Sequence, residues 1–281
     1  MSEQPQQPIR KVPAARGLAW FSGSWELVKR QPLRLLLISL FFQFFLGFSQ
    51  ADVLGLLVIL CLPVLSAGML HAFFLVERGE KPMLAVLFMP FTAKKSVSKL
   101  LLLGGVVMVL GLLLVSLILA GQMVDLDPEI LSRIEQGDLD ALQLIDPQIM
   151  ESAIMAMAVG AAISGCITYF SVPLIWFKQQ GVGSAVIMGL KAMGRNWRPL
   201  LMIGVLLGLL AVPIALLFGS FYLSALSEGT ASSWLAFLLL LLGPMFQLLL
   251  FGTQYLAFRD IFGLDEAVAG HGKNTADQLV A

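Results

Sequence analysis

Apolar residues along this chain gather into long unbroken runs separated by short polar stretches, with no period-two alternation inside the runs. A helix needs about 20 apolar residues to cross a hydrocarbon core of about 30 Å. Six runs meet or approach that requirement: residues 33–48, 53–76, 100–122, 152–177, 199–226 and 234–258. Uninterrupted runs satisfy every backbone group within one helix, whereas barrel strands alternate apolar and polar. The expected fold is therefore all-α: a polytopic bundle of six transmembrane helices, joined by amphipathic interfacial helices. The first run is the shortest and carries Gln43 among Phe41, Phe42, Phe44 and Phe45.

Composition strengthens this reading. The 281 residues are 58% hydrophobic and 13% charged, and mean hydropathy is +0.87, well outside the mixture of a soluble domain. Net charge is zero, but the charges are sorted. Arg10, Lys11, Arg16, Lys29, Arg30 and Arg34 surround the start of the first run; Arg78, Lys81, Lys94, Lys95 and Lys99 lie between the second and third. Lys178, Lys191, Arg195 and Arg198 lie between the fourth and fifth, and Arg259 and Lys273 after the sixth. Of the lysines and arginines only Arg133 falls in an alternate loop, where Asp52, Asp125, Asp127, Glu129, Glu135, Asp138, Asp140, Asp146, Glu151 and Glu228 collect. The positive-inside bias then places both termini in the cytoplasm.

The expected organisation is a disordered cytoplasmic N-terminus over 1–16, a membrane domain over 17–263 with an acidic periplasmic loop at 123–151, and a flexible cytoplasmic tail over 264–281. No small-residue cleavage site follows a short apolar core near the start, so no cleaved signal peptide is expected. Within the acidic loop, Asp127-Pro128 and Asp146-Pro147 each pair an N-cap side chain with a proline suited to the first helical position. The first is expected to open a short helix carrying Ile130, Leu131 and Ile134, and the second to lead into the fourth span. This loop reads as a solvated, partly helical cap, or as a partner-binding or gating element.

Basic residues and a proline meet twice before an apolar run, in "KRQPLRLLL" and "GRNWRPLLMI". Before the first, Leu18, Phe21, Trp25 and Val28 recur at helical spacing; before the second, Val186, Leu190, Met193 and Trp197 do so. Both stripes fit amphipathic helices lying in the membrane interface. Proline lacks the N–H of an interior helical bond yet suits a first turn, so Pro32 and Pro199 are expected to mark elbows between surface helix and span. The candidate interfacial elbows comprise Trp25, Arg30 and Pro32, and Trp197, Arg198 and Pro199. The stretch "KPMLAVLFMPFTAKK" repeats the theme less closely, with Leu84, Leu87, Phe88 and Phe91.

The exits of the hairpins correspond too: Pro63 precedes Arg78, and Pro244 precedes Arg259, by the same interval. Three divergent repeats of surface helix, membrane hairpin and basic exit are one reading; chance likeness among apolar segments is the other. Gly204 with Gly208, Gly104 with Gly111, Ala158 with Ala162 and Ala161 with Gly165 have the spacing that lets membrane helices pack closely.

Chemistry is sparse. No charged residue falls at the centre of a run. The polar side chains there or near the inner face include Gln43, His71, Gln247 and Gln254, a candidate intramembrane polar path or a set of interhelical hydrogen bonds. Cys61 and Cys166 lack a partner at metal-ligand spacing and read as buried free thiols. No His-Glu-His cluster, phosphate-binding glycine loop or paired carboxylates points to an enzyme, and neither a catalytic residue nor a cofactor or metal is expected. Basic clusters beside amphipathic stripes point to anionic headgroups of the lipid bilayer, with other membrane proteins as further partners and no nucleic acid. Two functions remain open: organising lipids or partner membrane proteins, and moving a weakly polar or lipid-like solute.

The segments "VPAARGLAWFSGSWELVKRQPLRLL", "VERGEKP" and "NWRPLL" resemble a family of uncharacterised six-pass bacterial inner-membrane proteins. More distantly, the layout is similar to the membrane domain attached to some glycerophosphodiester phosphodiesterases, whose catalytic domain has no counterpart here. The resemblance implies a bacterial inner-membrane location and brings no activity or site residues with it.

Overall fold

A computed structural model describes residues 9–48, 52–119, 132–133, 147–228 and 233–264. Among them the secondary structure is helical, without strands: α1 (Arg16–Arg30), α2 (Pro32–Gly47), α3 (Asp52–Glu77), a 3-10 turn (Leu84–Leu87), α4 (Met89–Thr92), α5 (Lys94–Leu119), α6 (Pro147–Lys178), α7 (Val182–Arg195), α8 (Trp197–Glu228) and α9 (Ser233–Phe262). Pro147 opens α6, as its place after Asp146 suggests. The short helix expected after Pro128 falls almost wholly outside the described residues, as do the first eight residues and the tail beyond 264.

Among the described residues five helices, α3, α5, α6, α8 and α9, are long and apolar enough to cross a membrane. The first expected span is the exception: α2 has 16 residues, about 24 Å at 1.5 Å per residue, against a core of about 30 Å. Six runs thus yield five helices of full length and one shorter apolar helix.

The elements follow a repeating order, one or two short elements and then two apolar helices. Their packing is cyclic. The 3-10 turn packs on α3, α7 on α6 and α1 on α9, so each short element rests on the last helix of the hairpin before it, and α1 joins the end of the chain to its start. The helices α3, α6 and α9 also touch one another, with α2 set against α3 and α9, α5 against α3 and α6, and α8 against α9 and α1. Two of these seats require glycine for close approach. A β-carbon on Gly68 of α3 would fall 2.4 Å from the Leu87 carbonyl oxygen, and one on Gly252 of α9 would fall 2.1 Å from the Ser24 hydroxyl of α1. Between membrane helices no hydrophobic drive assists packing, so close backbone contact and hydrogen bonds have to hold the seats.

Burial is concentrated at the end of the bundle that carries the short elements. The buried stretches are 64–76 of α3, 170–177 of α6 and 247–262 of α9. There Phe177 stacks on Phe258 with centroids 5.7 Å apart, and Phe170 meets Phe262 edge-on at 5.5 Å. Each such pair contributes about 0.5–1.5 kcal/mol beyond area burial. Towards the other end Leu112, Leu113, Leu117, Met155, Met157, Leu209 and Leu216 are exposed. The helices are therefore bound tightly at one end and carry apolar surface at the other.

Helix α1 is more than a surface helix. Gly17, Trp20, Ser24, Leu27 and Val28 form its buried face, one position or so round from the stripe expected to be its apolar side. Val28 belongs to both; Leu18 and Trp25 remain exposed. In α7 the buried residues are Ala185, Gly189 and Ala192, while Leu190 is exposed. Small residues seat α7 on the bundle, whereas α1 is seated by Trp20, Leu27 and Val28 together with Gly17 and Ser24.

The first elbow breaks at Gln31 (φ −141°, ψ 58°), after which Pro32 occupies the first helical position. Because Trp20, Ser24, Leu27 and Val28 already hold α1 on its neighbours, tertiary packing sets the bend and proline only favours it. Replacing Pro32 with alanine is expected to keep α1 and α2 distinct and to change stability by less than about 1 kcal/mol. A spin-label distance between positions 22 and 40 that lengthens to the span of one straight helix would contradict this.

Candidate functional site

The elbow residues occupy the tightly packed end. Trp25 is 43% and Trp197 56% exposed, and the Arg198 guanidinium lies 5.5 Å from the Trp197 ring centroid. Arg30 donates to the Glu77 carbonyl and Arg34 to the Pro82 carbonyl, each at 3.4 Å. Arg30 thus caps a carbonyl at the end of α3 that the helix itself leaves unpaired, and Arg34 ties α2 to the loop that follows α3. The second elbow differs from the first. Its break is at Asn196 (φ −116°, ψ 31°), α8 begins at Trp197, and Pro199 is third in the helix. Pro199 is buried whereas Pro32 is exposed, because Gly17 of α1 lies against the Pro199 carbonyl.

Asn196, itself buried, joins this elbow to the start of the chain. Its Oδ1 accepts from the Val12 amide at 2.9 Å, and its Nδ2 donates to the Arg10 carbonyl at 3.1 Å. The Arg10 amide in turn donates to the Ile261 carbonyl at 3.0 Å. Residues 10–12 are consequently strapped between two elements far away in sequence. Asn196→Ala should leave the Val12 amide without its partner and cost about 1–3 kcal/mol; the accompanying sign is faster proteolysis before Gly17, and unchanged cleavage would contradict the strap.

A charged network lies beside the strap. The Trp20 indole donates to Asp260 Oδ2 at 2.7 Å, and Arg16 pairs with the same carboxylate. Arg259 spans Asp260 Oδ1, at 3.2 Å, and Glu77, to which the Tyr255 hydroxyl also donates. Helices α1, α3 and α9 are joined by these bonds. The sequence reading overlooked this network. Its signal was available: Glu77 and Asp260 are carboxylates at the basic ends of apolar helices, where burial demands a cationic partner.

The candidate polar path falls in separate places. Gln247 Oε1 accepts from the Ser39 hydroxyl at 2.6 Å, joining α9 to α2. The Trp176 indole donates to His71 Nδ1 at 3.3 Å, joining α6 to α3, and Gln254 donates to the Tyr169 carbonyl at 2.6 Å, joining α9 to α6. Gln43 Nε2 points towards Gly243 of α9, 4.0 Å from where a β-carbon there would be. Three of the four therefore make interhelical bonds. None of the four lines the apolar cavity between α2, α3, α5 and α6.

That cavity, of about 540 Å³, lies between α2, α3, α5 and α6. Its lining includes the small residues Gly104, Gly111, Gly160, Ala161 and Gly165 and the exposed Leu56, Leu112 and Met157. The Thr168 hydroxyl is turned back onto the Ser164 carbonyl at 2.8 Å, which leaves the wall almost wholly apolar. The small-residue pairs noted in the sequence divide here. Gly104 seats against the Leu60 carbonyl of α3, while Gly111, Gly165, Gly204 and Gly208 meet no neighbour within 4 Å of an added β-carbon.

By fold, helix length and hydropathy this is an all-α polytopic membrane protein. No family model, curated protein or solved structure matches the chain.

Proposed function

We propose that the chain is a non-catalytic inner-membrane protein that holds phospholipid and, through it, organises neighbouring membrane proteins. The observation that carries this reading is the apolar cavity. Its wall on α5 runs from Gly104 to Val115, about 16 Å of helix, close to the roughly 15 Å of hydrocarbon in one leaflet. A void between membrane helices is filled by whatever surrounds it, and an apolar slot one leaflet deep suits an acyl chain. The lipid reading has a second support in the elbows, whose exposed tryptophans and basic side chains have the chemistry of the headgroup layer.

In this reading α2 completes six crossings, with a shortfall of about 6 Å from the core thickness met by local thinning of the bilayer and by Arg34 reaching to the interface. The sorting of lysine and arginine puts the elbows and both termini in the cytoplasm. The cyclic packing of short elements on preceding hairpins supports three divergent repeats about a pseudo-threefold axis. A solute path through Gln43, His71, Gln247 and Gln254 has no such support, because three of them spend their polar atoms between helices.

Filling the cavity tests the function. Gly111 and Gly160 line it and have room around an added β-carbon, so Gly111→Leu with Gly160→Leu is expected to occlude it. Native mass spectrometry of protein released from native membranes should show retained phospholipid on the wild type and its loss from the double variant. Identical lipid retention by both would refute the reading.

A further inference from the structure

At the packed end, away from the apolar cavity, a second and polar cavity of about 460 Å³ is lined by Arg10, Arg16, Arg259, Asp260, Val12-Pro13 and Gly263-Leu264. Three guanidinium groups converge there. Arg259 is shared between Glu77 and Asp260, and Arg16 is paired with Asp260. With Arg10 included, three positive charges face two negative ones, and the surplus lies on the Arg10 side. Arg10 is exposed, and its terminal nitrogens lie 3.4–3.9 Å from an added β-carbon on Gly263. Its main chain is pinned at the mouth of the cavity: the Asn196 side chain holds its carbonyl, Ile261 holds its amide, and Asn196 also holds the Val12 amide. Asp260 is fixed by Trp20 as well as by its two arginines. The backbone beneath Arg10 is thus held from outside the cavity, as Asp260 is by Trp20 and Arg259 by Glu77.

We propose that this cavity binds a phosphate group. Guanidinium is planar and presents paired N–H donors that match two phosphate oxygens, which an ammonium cannot do. Arg10 supplies the free fork; Arg16, anchored by Asp260 through Nε and one terminal nitrogen, supplies charge and a further donor, and Arg259, held by both Asp260 and Glu77, supplies charge. Gly263 adopts φ +69°, a left-handed conformation open to glycine with little strain, and turns the chain at the end of α9 so that no side chain fills the space under Arg10. The site lies level with the second elbow, where a lipid phosphate is available in the membrane; a soluble phosphate has the same chemistry.

The test uses the full chain in detergent, titrated separately with short-chain phosphatidylglycerol, short-chain phosphatidylcholine and inorganic phosphate and followed calorimetrically. Loss of a charge-assisted bidentate contact predicts that Arg10→Gln weakens binding about tenfold, with Arg10→Lys intermediate because charge remains and the fork is lost. Arg10-dependent binding of phosphatidylglycerol but not of inorganic phosphate identifies a lipid headgroup; Arg10-dependent binding of inorganic phosphate identifies the free ion. Binding that is absent from the wild type, or equal in the wild type, Arg10→Gln and Arg10→Lys, overturns the proposal. A role for Arg10 confined to the end of α9 would lower the melting temperature of ligand-free protein and leave affinity unchanged, which also overturns it. The cavity-filled Gly111→Leu, Gly160→Leu variant should keep the Arg10-dependent binding, so failure of the acyl-chain reading and failure of this one are read separately.

Discussion

Gly68→Val is expected to destabilise the folded bundle by about 3 kcal/mol, the upper part of the range for overpacking. A β-carbon at this position falls 2.4 Å from the Leu87 carbonyl oxygen and 2.8 Å from the Leu87 Cα. These atoms are backbone, held in the 3-10 turn between α3 and α4, and cannot rotate away as a side chain would. Valine adds two further methyl groups to the same space, so α3 and the turn have to separate. The seat of the 3-10 turn on α3 is one of the three joints that close the ring of short elements, and its loss should loosen the middle hairpin before the others. Gly111→Ala is the matched control. It lies in a helix of similar length with nothing nearby, and there the change should be neutral or slightly stabilising, since glycine is a poor helix former. Reversible denaturation in micelles reads the difference, and equal midpoints for the two variants would contradict the account of the joint.

Asp260→Ala is the second large effect, expected at about 3 kcal/mol. The carboxylate side chain is only 10% exposed and carries two arginines, along with the indole N–H of Trp20, a residue that is 1% exposed. Removing it leaves the indole donor without its acceptor and Arg259 with Glu77 alone. The loss exceeds that of an ordinary surface ion pair, which contributes about 0–1 kcal/mol, because the groups left behind are partly desolvated. The expected local sign is a change in Trp20 fluorescence and weaker docking of α1 on α9. Asp260→Asn, which keeps an acceptor for the indole but drops the charge, should recover part of the stability; full recovery would show that the hydrogen bond to Trp20 outweighs the pairing with arginine.

Long apolar runs made the helices readable in the sequence because their length is set by the chain alone. The break at Gln31 and the start of α2 at Pro32 were readable for the same kind of reason, since proline restricts its own backbone and its neighbour's. What the runs could not disclose was direction around each helix. In an apolar helix the large and small residues are both compatible with lipid, so the stripe of Leu18, Phe21, Trp25 and Val28 marked an interfacial helix without disclosing that Gly17, Trp20, Ser24, Leu27 and Val28 seat it on the bundle. The polar network at Asp260 and the strap at Asn196 join residues more than 180 positions apart, and no local pattern records such a pairing. The length of α2 is a subtler case: residues 33–48 looked marginal, and the helix is indeed short, yet whether it crosses depends on the bilayer as much as on the chain.

That question decides the architecture, because five crossings would put the two ends of the chain on opposite faces and six put them on one. With Cys61 and Cys166 replaced by alanine, single cysteines at Ser2, Glu135 and Ala281 can be labelled with a membrane-impermeant maleimide in intact spheroplasts and in opened membranes. Six crossings with the elbows inside predict that Glu135→Cys reacts in intact spheroplasts while Ser2→Cys and Ala281→Cys react only after opening. Reaction of exactly one of the two terminal cysteines in intact spheroplasts would show that α2 does not cross, and would contradict the three-hairpin membrane unit on which the lipid-holding function rests.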